Sequence, residues 1–87
     1  MAIQGKLPEW WEWELHISKH VYWRMPKRGF NETDLREMLA DATSLAPDVE
    51  PGRWVVGSRW EGEPWEIIVE PVPSMGRLAI ITAYAVK

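Results

Sequence analysis

Apolar and polar residues alternate strictly from Trp11 to Ile17. Trp11, Trp13, Leu15 and Ile17 fall on one side; Glu12, Glu14 and His16 fall on the other. A period of two in aromatic and β-branched residues predicts a half-buried strand. Trp10 is left over from this pattern and is expected to be exposed. Ser18 then suits the N-cap of a short helix reaching about Met25, where Pro26 removes an N–H and disfavours helical geometry in the residue before it. Asn31 caps a second helix, with Glu32 and Asp34 in its first turn, where the helix dipole favours acids. Leu35, Met38, Leu39 and Ala42 follow as one apolar stripe, and Ala46-Pro47 ends it.

The remainder reads as strands. Arg53 to Trp60 places Trp54, Val56 and Trp60 on one face, and Glu61-Gly62-Glu63-Pro64 makes a turn. From Trp65 to Glu70 the alternation returns, Trp65, Ile67 and Val69 opposing Glu66, Ile68 and Glu70. After a longer turn over 71–76, Leu78 to Val86 is apolar on both sides, as expected of a central strand. Leu78, Ile80, Tyr84 and Val86 share one side of it; Ala79, Ile81, Ala83 and Ala85 share the other. The order β-α-α-β-β-β predicts an α+β domain, two helices packed on a four-stranded antiparallel sheet. Residues 1–9 carry no periodicity and read as a flexible leader, with 10–87 as a single domain.

Composition changes this picture in two ways. The chain has 87 residues and no cysteine, which excludes disulfides and thiolate metal sites, so dense packing must hold so small a domain. Seven tryptophans supply the apolar bulk. No stretch is long enough to span a bilayer, and MAIQGKLPEW has no signal-peptide core. A cytoplasmic protein without a membrane partner is expected.

The net charge is −3, a balance that argues against a dedicated nucleic-acid binder. Its distribution argues the other way. His16 to Phe30 holds both histidines, four of the ten Lys/Arg residues (Lys19, Arg24, Lys27 and Arg28) and no acid. A phosphate responds to the field at its own site.

Within that island lies His20-x-x-x-Arg24-Met25-x-x-Arg28-Gly29-Phe30, followed by Asp34-Leu35-x-x-Met38-Leu39. These residues resemble a family of small bacterial domains of unknown function with the pattern H-x-x-x-R-M-x-x-R-G-[IF]. Pro51-Gly52-Arg53-Trp54-Val55-Val56, Trp65-Glu66-Ile67-Ile68-Val69-Glu70-Pro71 and Thr82-Ala83-Tyr84 fit the same family, so the resemblance spans about 14–87. The family is in turn distantly similar to RelE- and BrnT-like toxins, which cut RNA without metal and are neutralised by an antitoxin protein. The resemblance implies a toxin-like, metal-independent ribonuclease with RNA and an antitoxin as partners.

Under that reading, His20 is the acid–base and Arg24, one helical turn later, the phosphate-binding fork. Tyr84 is the third catalytic candidate. Arg28, Arg59, Glu66 and Trp23 are candidates for substrate binding, Trp23 by stacking on a base. Each residue also has a structural reading. His20 can bond a backbone carbonyl, and Arg24 can pair with Glu12, Glu14 or an acid of the second helix. Arg28 can sit at a helix end, Trp23 and Tyr84 can be core, and Arg59 with Glu66 can be a cross-strand ion pair. On that alternative the chain is a non-enzymatic interaction domain, homodimeric or bound to another protein, with exposed tryptophans marking the interface. No metal or cofactor is expected: His16 and His20 are four apart but fall on different elements, and no HExxH or Gly-rich phosphate loop occurs.

Overall fold

A computed structural model describes residues 7–24 and 31–86, with only the backbone at His20, Tyr22 and Arg24. The leader residues 1–6 and Arg28 lie outside the described residues. The elements are β1 (Glu14–Ile17), α1 (Lys19–Arg24), α2 (Glu32–Ala40), β2 (Ser44–Pro47), β3 (Trp54–Trp60), β4 (Glu63–Val72) and β5 (Arg77–Ala85), preceded by a 3-10 turn over Glu9–Glu12. The strands form one sheet in the order β1-β5-β4-β3-β2.

This corrects the expected architecture. The sheet has five strands and is mixed, because β1 runs parallel to β5 at one edge while the other pairings are antiparallel. Among the described residues only α2 exceeds two helical turns; α1 has six residues. The extra strand is β2. Ala46-Pro47 ends it rather than ending a helix, and a proline is tolerated on an edge strand, where the missing N–H need not face the ladder. The direction of β1 is invisible to periodicity, since alternation specifies which face is buried and says nothing about the partner strand.

The N-terminal alternation also begins later than expected. Trp11 N–H donates to the Pro8 carbonyl (3.0 Å) and Trp13 N–H to that of Trp10 (3.1 Å), winding Glu9–Glu12 into a turn. Trp11 is thereby buried, and Trp10 is half-buried rather than exposed, its ring 5.8 Å from Trp54 and 5.9 Å from Trp11. Arg36 of α2 fastens this turn, donating to the carbonyls of Trp11 and Trp13.

The core lies on one face of the sheet. Leu15, Val56, Trp65, Ile67, Val69, Leu78 and Ile80 meet Val21 of α1 and Leu35, Met38 and Leu39 of α2. Its one buried polar side chain among the described residues, Ser58, donates to the Met38 carbonyl at 2.5 Å. That carbonyl lies in the last turn of α2, where helical partners run out. Glu61 and Gly62, both at positive φ (51° and 82°), make the short turn between β3 and β4, so the strands extend further than the pattern predicts.

Candidate functional site

Two groups of candidates emerge, on opposite sides of the sheet. The first belongs to α1. Ser18 begins this helix as expected, its Oγ accepting from Val21 N–H at 3.3 Å. Val21 is buried in the core cluster, while Lys19 and Trp23 are exposed. His20 and Arg24 both fall within α1, one turn apart along its backbone; their side chains lie outside what is described, as does Arg28. Trp23 is 81% exposed, which sets aside its reading as core.

The second group stands on the face of the sheet away from the helices. Tyr84 arrives there through a bulge. The β4–β5 register shifts between Ile68 and Val69, which pair with Thr82 and Ile80 and leave Ile81 unopposed. Beyond the bulge the sides exchange. Ala83 and Ala85 continue the core face begun by Leu78 and Ile80, and Tyr84 turns outward, 42% exposed. Its hydroxyl donates to Glu66 Oε1 at 2.6 Å across the ladder. The Tyr84 pKa is pushed up to about 12, first by that hydrogen bond, then by burial and by the negative charges of Glu66 and Asp48. A phenol so held is a neutral donor, not a nucleophile or base.

Arg59 shares this face but donates to the Gly62 carbonyl (2.7 Å), so the expected Arg59–Glu66 ion pair is replaced by two separate bonds. Among the described residues the ion pairs are Arg53–Glu70 (3.1 Å) and Arg77–Glu14 (3.7 Å). Arg77–Glu14 bridges β5 and β1, and Arg53–Glu70 ties the residue before β3 to β4, so polar groups of the open face largely satisfy one another. Glu14 is thus engaged by Arg77, one of the acids to which Arg24 was assigned as an alternative.

Of the three catalytic candidates read from the sequence, Tyr84 alone has a described side chain. α1 packs with Val21 toward the core face, and Tyr84 with Glu66 projects from the other. Of the substrate-binding candidates, Trp23 stays with α1, and Arg59 and Glu66 stay with Tyr84. Lys19, one of the cations of the basic island, is exposed four residues before Trp23 on the same short helix. Among the described residues no group of three or more His, Asp or Glu is placed to hold a metal ion, and no helix is long and apolar enough to cross a membrane.

No curated protein matches the chain, and no solved structure does. The family model of a domain of unknown function, DUF4258, matches residues 17–85, from the end of β1 to the end of β5. The match takes in nearly the whole fold, and the chain belongs to that family.

Proposed function

We propose that this DUF4258 domain is a toxin-like, metal-independent ribonuclease that works from α1, in the cytoplasm and under the control of a neutralising protein partner. The observation that carries the reading is the helix itself. α1 commits Val21 to the core, exposes Lys19 and Trp23, and contains no acid, in a chain whose net charge is −3. A helix without acids that presents an exposed cation is suited to a polyanion.

The chemistry follows from residue type. Attack of a ribose 2′-hydroxyl on the adjacent phosphorus requires a base, a role for which imidazole is a common side chain and which here falls to His20. The attacking oxygen bonds to phosphorus as the 5′ oxygen leaves, giving a 2′,3′-cyclic phosphate; water protonates the leaving group. Arg24 offers two parallel N–H donors to the non-bridging oxygens as their charge grows. Tyr84 takes no part, since its hydroxyl is engaged by Glu66 on the other face.

The test is cleavage of single-stranded RNA by purified protein in the presence of EDTA. The parent is expected to release cyclic-phosphate ends, and His20→Gln and Arg24→Ala to lose about 10²–10⁴-fold in rate at an unchanged urea midpoint. Absence of cleavage by the parent, or parental rates in both variants, overturns the proposal.

A further inference from the structure

Six of the seven tryptophans are buried or half-buried; Trp23 alone is exposed, at 81%. A ring of this size is the largest apolar surface a side chain can leave in water, and here the core has no use for it. Lys19 lies four residues earlier in the same helix and is also exposed. Residues so spaced are neighbours, with Cβ atoms about 5–6 Å apart. An indole and an ammonium are thus carried at neighbouring positions of a helix that contains no acid.

We propose that Trp23 and Lys19 form a subsite for single-stranded RNA, with an unpaired base stacked on the indole and its phosphate beside the Lys19 ammonium. The proposal rests on the ribonuclease reading and specifies the substrate class of that site. Only an unpaired nucleotide can offer its base face to an indole, because in a duplex both faces are taken by neighbouring bases. Every base has such a face, so the subsite selects strandedness rather than sequence. The lysine supplies the sequence-independent charge contact.

The experiment measures binding apart from cleavage. A short fluorescein-labelled 2′-O-methyl RNA, which lacks the nucleophilic hydroxyl, is titrated by anisotropy as a single strand and as a duplex, over a series of salt concentrations. The parent is expected to prefer the single strand. Trp23→Ala should weaken that binding roughly five-fold to a hundred-fold with the salt slope unchanged, and Trp23→Phe should restore most of it. Lys19→Gln should reduce the slope of log affinity against log salt by about 0.7. Equal affinity for strand and duplex, or parental binding by Trp23→Ala, overturns the subsite; the second result is also the one expected if the indole seats a protein partner.

Unmodified RNA given to the same variants separates this proposal from the one it rests on. Cleavage at the parental rate by Trp23→Ala leaves the ribonuclease standing without the subsite. Binding through Trp23 by a parent that never cleaves leaves the subsite standing without the ribonuclease.

Discussion

The two helices of this domain are built to different standards. α2 begins in a full capping box: Asp34 N–H donates to the Asn31 side chain at 2.9 Å, and Asn31 N–H donates back to the Asp34 carboxylate at 3.0 Å. It buries Leu35, Met38 and Leu39, lends Arg36 to the N-terminal turn and receives Ser58 at its last turn. α1 has six residues, a single 3.3 Å cap from Ser18, and Val21 in the core. A helix shorter than about twelve residues has little stability of its own, so each persists through what it packs against. The contrast teaches a division of labour: α2 holds the sheet, and α1 is held by the sheet so that its outer residues are free for other work.

The comparison can be broken most severely at Leu35, which is fully buried. Leu35→Ala should cost about 2–5 kcal/mol in urea denaturation, enough to unfold a marginal domain. A loss below about 1 kcal/mol would mean that α2 is not the anchor. Next in size is Ser58→Ala, which leaves the Met38 carbonyl without its partner and should cost about 1–3 kcal/mol. Asn31→Ala removes one side of the capping box, for about 1 kcal/mol by thermal unfolding. Trp23→Ala should change the urea midpoint least of all, by no more than about 0.5 kcal/mol, as for an exposed position. A large loss there would place α1 among the elements that hold the fold.

The open face of the sheet gives a pH-dependent check on where Tyr84 stands. Its phenol pKa is raised to about 12 from 10.0, so the protonated form is the one the fold favours. The stabilisation is whole below about pH 10 and is lost as pH climbs toward about 12. Glu66→Ala should bring the Tyr84 titration, followed by NMR of its ring carbon, back toward 10.0. An unchanged titration would remove Glu66 as the cause.

Much of this organisation is legible in the residues. The Asn31 cap and the Leu35-Met38-Leu39 stripe are local signals, and α2 forms where they predict. The alternation of Trp54 to Trp60 and Trp65 to Glu70 likewise places β3 and β4 and identifies their buried sides. What could not be read is whatever depends on the partner strand. The parallel pairing of β1, the existence of β2 and the unopposed Ile81 are choices made by the assembled sheet. The last of these carried Tyr84 to the opposite side from Leu78 and Ile80. The placing of His20 and Arg24 one turn apart on α1 was local, since two residues four apart on one short helix need no tertiary information to be neighbours.

Native-state hydrogen exchange of the α1 and α2 backbone amides tests the division of labour most directly. The account predicts that the interior amides of α2 exchange only through global unfolding, with protection matching the denaturation free energy. Those of α1 should exchange orders of magnitude faster through local opening. Equal protection along both helices would contradict it, because α1 would then belong to the same cooperative unit that holds the sheet.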